Sequence, residues 1–380
     1  MKVFFSWHAA VEPEYRKLFT ELGQAGIQIL ALLPKAWTEG GRIQRPRSDT
    51  SNGYDIVIEP IFFRDKIKRF FYPDFKGIAK SIVGFRPDII HIFEEPYSLS
   101  AAQLVWLTQL LHLRAKIIVH SFENLPPRNW LFFHAIEGFV LKHTDALLIV
   151  PQEGGPIWRM QGFQGCIHQI GVGVDENVFK KTADFPREDP FQKRADVGFR
   201  IAYIGRLVKE KGVDLLLQAF QGLVRDEKKI ELYIVGEGRE QEALKHIAER
   251  LGIGRQTVFI PSLPAQDLPA FYSSIDILVL PSRTTRRWKE QFGRVLIEAM
   301  ACEVSVVGSS SGEIPHIIED AGVIFPEGDV AALTTSLREL VLNSDLRKKY
   351  GQIGRQRVLE RYTWRVVARQ LHDVYHEVLG

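Results

Sequence analysis

The sequence predicts an α/β protein of two Rossmann-like domains built on parallel sheets. Three observations carry that prediction. Short apolar runs alternate with helical stretches from residue 3 to residue 150, the pattern of a parallel sheet covered on both faces. The alternation restarts at Arg200-Ile201-Ala202-Tyr203-Ile204-Gly205 and continues to residue 325. Between the two, residues 171–199 change character. Gly171-Val172-Gly173-Val174-Asp175 leads into Lys180-Lys181-Thr182-Ala183-Asp184-Phe185-Pro186-Arg187-Glu188-Asp189-Pro190, a charged stretch with two prolines that reads as a linker. The expected division is 1–178 for a first domain, 179–199 for the linker and 200–362 for a second domain, with a cleft between the halves.

Each element follows from local pattern. Residues 3–6 read as a first strand, because Met1-Lys2-Val3-Phe4-Phe5-Ser6-Trp7 is too short for a signal h-region. Tyr15, Leu18, Phe19 and Leu22 share one helical face, and Gly23 and Gly26 stop that helix. Residues 27–33 form a second strand, 34–55 a polar, turn-rich connection and 56–62 a third strand. Strands follow at 89–93, 117–120 and 146–150, with helices near 98–112 and 130–143. In the second half, strands are expected near 231–235, 257–260, 276–280, 304–307 and 322–325, with amphipathic helices in the gaps. The last helix starts near Trp364 and carries Val367, Leu371, Val374, Tyr375 and Val378 on one stripe.

Composition narrows the function classes. A chain of 380 residues has ample core for one or two domains. A net charge of +3 is too small to imply nucleic acid by itself. Cys166 and Cys302 have neither metal nor redox spacing; they suit a reducing compartment and argue against a disulfide framework. No apolar run approaches the roughly 18 residues of a membrane span.

The chemistry gathers around Glu290-Gln291-Phe292-Gly293-Arg294-Val295-Leu296-Ile297-Glu298-Ala299-Met300-Ala301. It follows the apolar run Asp276-Ile277-Leu278-Val279-Leu280-Pro281-Ser282, so it reads as strand, loop and a helix opening near Gly293. Such a junction lies at the C-terminal edge of a parallel sheet, where open α/β folds bind ligands. The helix start offers N–H groups to a phosphate or a sugar hydroxyl. Glu298 stands among apolar neighbours, and a buried carboxylate needs donors; the two hydroxyls of a ribose supply them. The alternative is an i,i+4 surface pair with Arg294, worth about 0.3–0.5 kcal/mol. Spacing alone does not separate the two.

Upstream, Gly205-Arg206-Leu207-Val208-Lys209-Glu210-Lys211-Gly212-Val213-Asp214 lies between a strand and a helix. Arg206 and Lys211 there suit a diphosphate, or are ordinary charges on a solvated loop. Val235-Gly236-Glu237-Gly238-Arg239-Glu240 follows the next strand. Gln241 stands where a dinucleotide fingerprint requires a third glycine, which leaves an NAD oxidoreductase as an outside reading. Gly-x-Gly still lets backbone approach a flat nucleobase closely.

Taken together, Gly205-Arg206 with Lys211-Gly212, Val235-Gly236-Glu237-Gly238, Pro281-Ser282, Glu290-Gln291-Phe292-Gly293 and Glu298-Ala299-Met300-Ala301 resemble, in order and spacing, the retaining glycosyltransferases of family 4. Those enzymes have the GT-B fold, two Rossmann-like domains with parallel sheets facing across a cleft. The resemblance covers residues 200–330 strongly and the first half more loosely. It implies a second domain that holds a nucleotide-sugar. Gly205, Arg206 and Lys211 would lie at the diphosphate, and Val235 and Gly236, with Ser262 and Leu263, at the base. Glu298 would bind the ribose, and Arg294 and Val295 complete the donor-binding turn. Glu290 would contact the transferred sugar, helped by backbone N–H groups at Phe292 and Gly293. Residues 363–380 would cross back to the first domain. No Asp-x-Asp occurs in the chain, so the metal-binding signature of the other large glycosyltransferase fold is missing. Two cations and a helix N-terminus can stabilise a leaving diphosphate without Mg²⁺.

Acceptor binding falls, on this resemblance, to the first domain, where the match departs. Relatives carry a Gly-Gly loop after the first strand; here the chain reads Trp7-His8-Ala9-Ala10-Val11-Glu12-Pro13. Relatives also carry a Thr-x-His-Asp-like segment; here it is Ile117-Ile118-Val119-His120-Ser121-Phe122-Glu123-Asn124. Aligning Ser121 on the threonine puts Glu123 in the histidine's place, with His120 as the alternative. Glu290, Glu123 and His120 are therefore the candidate catalytic residues. Two basic-aromatic clusters, Phe62-Phe63-Arg64-Asp65-Lys66-Ile67-Lys68-Arg69-Phe70-Phe71-Tyr72 and Arg128-Asn129-Trp130-Leu131-Phe132-Phe133, suit an anionic membrane surface or a lipid-linked acceptor, or are core aromatics with cationic rims. Arg283-Thr284-Thr285-Arg286-Arg287-Trp288-Lys289 is a basic loop leading into Glu290, placed over the donor phosphates, against an anionic acceptor, or simply exposed.

The expected function is retaining transfer of a hexose from a nucleoside-diphosphate sugar to a glycan, lipid-linked or small-molecule acceptor. UDP-glucose is the first donor by family frequency. The expected setting is bacterial polysaccharide or glycoconjugate synthesis in the cytoplasm, with no metal, no other cofactor and no nucleic acid, and with peripheral membrane contact left open. The rivals are a GT-B nucleotide-sugar epimerase and a non-catalytic sugar-nucleotide-binding protein; intact Arg206, Lys211, Glu290 and Glu298 speak against the second.

Overall fold

The computed structural model describes residues 1–39, 42–46, 53–127, 131–182, 198–224 and 229–380. It divides into two compact units, Met1–Gly173 with Trp364–Gly380, and Val174–Thr363. The first boundary falls before residue 178 because Val174 already bonds within the second unit: its N–H donates to the Tyr362 carbonyl at 2.8 Å, and it bridges to Thr363. Residues 183–197 of the expected linker, and 128–130 of the second basic-aromatic cluster, lie outside the described residues.

The first unit contains β1 (Lys2–Ser6), β2 (Gln28–Pro34), β3 (Trp37–Glu39), β4 (Arg42–Gln44), β5 (Tyr54–Glu59), β6 (Ile89–Ile92), β7 (Lys116–Ser121), β8 (Ala146–Ile149) and β9 (Cys166–Gln169). β3 and β4 pair as an antiparallel hairpin, inside the stretch read from sequence as turn-rich only. The other seven form a parallel sheet in the order β5-β2-β1-β6-β7-β8-β9. β6 and β8 are buried at every position, as expected of strands with both faces covered. The strand expected at 56–62 runs Tyr54–Glu59, because Pro60 has no N–H to give a neighbour; Phe62 joins Phe71 in an isolated bridge instead. β9 was not expected: it is a half-exposed edge strand without an apolar run.

The helix Trp364–Leu379 buries Trp364, Val367, Leu371, Val374 and Tyr375, while Val378 is half-buried. It packs on the helix Lys17–Gln24, and the Tyr375 hydroxyl lies 2.6 Å from His91 Nδ1 on β6. These contacts make it part of the first unit although it is last in sequence. Among the described residues no helix is long and apolar enough to cross a membrane.

The second unit contains β10 (Phe199–Ile204), β11 (Ile230–Val235), β12 (Thr257–Ile260), β13 (Ile277–Leu280), β14 (Ser305–Ser309) and β15 (Gly322–Phe325). All pair in parallel, in the order β12-β11-β10-β13-β14-β15. Counted from its first strand, that order is 3-2-1-4-5-6, the doubly wound dinucleotide-fold arrangement. It reverses between β10 and β13. Those two strands pair at Ile201 with Ile277 and at Ala202 with Leu278, and the connections beyond their C-terminal ends run to opposite sides of the sheet. The crevice they leave is where such folds place a ligand.

Candidate active site

In the second unit, the loops after β10, β11 and β13 converge at that crevice, and glycine permits the approach. Gly236, at φ +142°, would place a Cβ 1.9 Å from the Gly205 carbonyl oxygen. Gly212, at φ +66°, would place one 2.0 Å from the Pro281 carbonyl oxygen. No side chain fits at either position, so the Gly-Arg loop, the Gly-x-Gly loop and the Pro-Ser loop pack backbone to backbone.

Glu290 is the hub of the site. It is 6% exposed. Its Oε2 accepts from Lys211 Nζ at 2.6 Å and from the Ser282 hydroxyl at 2.6 Å. Lys211 also stands 4.9 Å over the Trp288 ring. The Glu290 carbonyl accepts the Glu313 N–H at 3.1 Å, which ties the loop after β14 to the same point. A buried pair of this kind is costly to break, because removing one partner leaves an uncompensated charge worth about 3–5 kcal/mol. Ser282 and Trp288 lie in stretches quoted from sequence, the Pro281-Ser282 pair and the basic loop, but neither was given a role. The signal for Ser282 was its place two residues past the end of a buried strand.

Glu298 lies on the helix Arg294–Ala301 and is 4% exposed. The i,i+4 pair with Arg294 forms, but it is buried rather than at the surface. Arg294 Nε is 2.9 Å from Oε1, the i,i+4 pair, and the Tyr272 hydroxyl donates to Oε2 at 2.8 Å. Burial, with Glu298 beside it, holds the Tyr272 pKa well above the ordinary tyrosine value, so the phenol remains a donor. The helix opens at Gly293, in the left-handed region at φ +86°, without a side-chain cap.

Arg206 is exposed, and its carbonyl accepts from the Tyr203 hydroxyl at 2.8 Å. Val235 is buried at the end of β11, and Ser262 and Leu263 are half-buried just past β12. Of the basic loop, Arg283 is engaged within the unit: it pairs with Asp214 and donates to the Lys209 carbonyl at 3.1 Å. Arg286 and Arg287 are exposed.

This geometry has close parallels. Residues 185–357 match the family described as glycosyl transferases group 1. That match lies in the second half of the chain. A GDP-mannose-dependent alpha-(1-6)-phosphatidylinositol monomannoside mannosyltransferase of Mycolicibacterium smegmatis is 31% identical over 219 residues, covering 56% of this chain and 57% of the relative. A D-inositol 3-phosphate glycosyltransferase of Corynebacterium jeikeium is 30% identical over 227 residues, covering 56% of this chain and 52% of the relative. The chain thus spans about half the length of the curated relatives it matches. Two solved structures follow the chain throughout. Sucrose-phosphate synthase of Thermosynechococcus elongatus has a TM-score of 0.75 at 17% identity, covering 100% of this chain and 99% of its own. HepE of Anabaena, in complex with UDP, has a TM-score of 0.73 at 15% identity, covering 99% of this chain and 100% of its own. At such identities they show the fold alone, and that fold is GT-B.

The first unit gathers carboxylates at its own switch point, between β1 and β6. Glu94 accepts from the His8 backbone N–H at 2.8 Å and lies 2.7 Å from His8 Nδ1. Glu95 accepts from the Ser121 hydroxyl at 2.6 Å and the Phe122 N–H at 2.8 Å. Burial, then the neighbouring Glu123, pushes the Glu95 pKa upward. Glu123 is half-buried and accepts from the Tyr97 hydroxyl at 2.9 Å. His120 is placed differently. It is 1% exposed, stacks on Phe93 at 3.8 Å, and its Nε2 donates to the Ile170 carbonyl at 2.8 Å. Burial pushes its pKa down to about 3, so the ring is a neutral part of the core. Glu94 and Glu95 were missed from sequence, although two acids directly after a buried strand were a legible signal.

Among the described residues, one group of side chains is close enough to hold a metal ion: Cys166, His168 and Glu377, with ligand atoms within 4.8 Å of one another. It lies on β9 and the C-terminal helix and includes none of the candidate residues read from sequence. Cys166 and His168, two apart on a strand, share a face. Both cysteines are free thiols.

Proposed function

We propose that the chain is a retaining glycosyltransferase that moves a hexose from a nucleoside-diphosphate sugar to an acceptor hydroxyl without a metal. The observation that supports this most is the pair of buried carboxylates, Glu290 and Glu298, held with Lys211 at the strand ends of a doubly wound sheet. Gly205, Arg206 and Lys211 take the diphosphate, with the helix start at Phe292, Gly293, Arg294 and Val295. Glu298 accepts from the ribose hydroxyls beside Tyr272 and Arg294; a carboxylate offers about four acceptor positions, enough for both sets. Val235, Gly236 and Leu263 border the base. Glu290 holds hydroxyls of the transferred sugar, and Glu123 serves the acceptor side.

Retention needs no enzyme nucleophile in this scheme. The bond from the anomeric carbon to the phosphate oxygen breaks, the acceptor oxygen bonds on the same face, and the departing phosphate oxygen takes the acceptor proton. The protein supplies position and charge stabilisation. UDP-glucose is the first donor to test. GDP-mannose is the second, because the Mycolicibacterium relative is GDP-mannose-dependent by name. Free thiols at Cys166 and Cys302 fit a cytoplasmic setting, and glycan and lipid-linked acceptors are the classes to offer.

The test is transfer by the purified chain from each donor to a panel of glycan and lipid-linked acceptors, with EDTA or with Mg²⁺. Acceptor-dependent release of nucleoside diphosphate, an α-linked product from an α-linked donor, and equal rates in both conditions are expected. Sugar isomerisation without acceptor would point to an epimerase. Loss of activity in EDTA that Mg²⁺ restores would overturn the metal-free mechanism.

A further inference from the structure

We propose that the first unit docks on an anionic lipid surface through an apolar groove rimmed by cations. The groove, of about 500 Å³, lies among Phe71, Phe75, Leu99, Gln103, Trp106 and Phe139. Its one polar side chain is engaged internally: the Gln103 amide donates to the Tyr72 carbonyl at 2.6 Å, and its oxygen accepts the Tyr72 N–H at 2.9 Å. The lining therefore presents hydrocarbon and aromatic surface, which suits an acyl chain and gives a sugar nothing to bond.

The exposed aromatics of the molecule concentrate here. Among the described residues, every exposed Phe or Trp lies in this unit: Phe62, Phe63, Phe75, Trp106 and Phe132. The Phe75 and Trp106 rings meet edge to face at 5.9 Å. Phe132 precedes Phe139 by seven residues on one helix, so the two share a face. Soluble surfaces scatter large apolar groups singly; contiguous ones mark interaction sites. Phe63 also sits at φ +56°, a backbone region that a bulky residue rarely adopts. The turn holds that conformation with both Phe62 and Phe63 exposed to water.

Charge selects the partner. Residues 62–80 carry Arg64, Lys66, Lys68, Arg69, Lys76 and Lys80 against Asp65 and Asp74, and Asp65 is paired with Lys66 at 2.8 Å. All the cations but the half-buried Lys68 are exposed. A lipid surface offers hydrocarbon to the groove and anionic headgroups to the rim together. Aromatic rings favour that interface, and each cation adds an attraction that salt screens. None of these residues lies in the second unit, so docking stands apart from the proposed function; if both hold, the first unit sits where a lipid-linked acceptor is found.

Flotation of the full chain with phosphatidylglycerol–phosphatidylcholine vesicles, against phosphatidylcholine alone, tests it. Recovery with anionic vesicles at low salt is expected, falling at high salt and on neutral vesicles. Lys66→Glu with Arg69→Glu should lower anionic partitioning roughly ten-fold or more, and Phe62→Ser with Phe63→Ser should lower it comparably. Thermal unfolding like the wild type, and unchanged UDP or GDP binding, confirm that each variant is folded and keep the result separate from that of the donor site. Equal recovery with both vesicle types, no recovery with either, or variants that partition like the wild type each overturn the proposal.

Discussion

At the residue scale, Glu298 shows how packing places a carboxylate that spacing alone leaves open: it is buried and held by its i,i+4 partner. Arg294 and Tyr272 fix its orientation, and its burial means that any further donor bonds a pre-organised acceptor. A hydrogen bond to a charged group commonly contributes about 1.5–3 kcal/mol. Glu298→Ala should therefore weaken UDP or GDP binding by roughly ten-fold or more, whereas Tyr272→Phe, which keeps the carboxylate, should cost less. Calorimetric titration of both variants checks this. An alanine variant with wild-type affinity would remove Glu298 from the ribose. The node of Glu290, Lys211 and Ser282 is the companion case. Sequence supplied the acid and the lysine, but their 2.6 Å contact joins residues on different loops, and no spacing rule reports it.

At the element scale, β7 separates two neighbours that sequence left as alternatives. Both faces of this central strand are covered, so it is buried from Ile117 to Ser121 and His120 with it, while Glu123, past the strand end, stays half-buried. The buried histidine has a consequence for stability. Its folded pKa of about 3 lies below the unfolded value of about 6.5, so between those limits the unfolded chain binds more protons. Stability is full above pH about 6.5 and falls as pH drops toward 3, by up to about 1.4 kcal/mol per pH unit. His91, whose pKa burial also pushes down, adds in the same direction. Urea unfolding at pH 7 and pH 4.5 should show a smaller acid loss for His120→Gln than for the wild type. Equal losses would assign the pH dependence to other groups.

At the scale of the whole molecule, the last helix is the segment whose ownership matters most. Trp364, Val367, Leu371, Val374 and Tyr375 are buried in the first unit. Full burial of such side chains contributes about 1.5–3 kcal/mol each, and a domain's net stability is only about 5–15 kcal/mol. A chain ending at Thr363 should lose the cooperative unfolding of the first unit while the second still binds nucleoside diphosphate. Scanning calorimetry with and without UDP or GDP reads both outcomes. Two intact transitions in the truncated chain would show that the helix is dispensable to the first unit.

The sequence by itself determined the doubly wound halves, the strand-loop-helix junction that presents Glu290 and Glu298, and the apolar stripe of the final helix. Each of these rests on period, strand length or motif spacing, which are local. It missed the hairpin at β3 and β4 and the edge strand β9, which are short and weakly apolar. Tertiary structure alone decided that Ser282 and Tyr272 serve the two acids, that His120 is core, and that Glu94 and Glu95 meet His8 and Ser121 at the first unit's switch point. Those facts depend on which strand ends the sheet order brings together, and pairing across tens or hundreds of residues leaves no periodic trace in the chain.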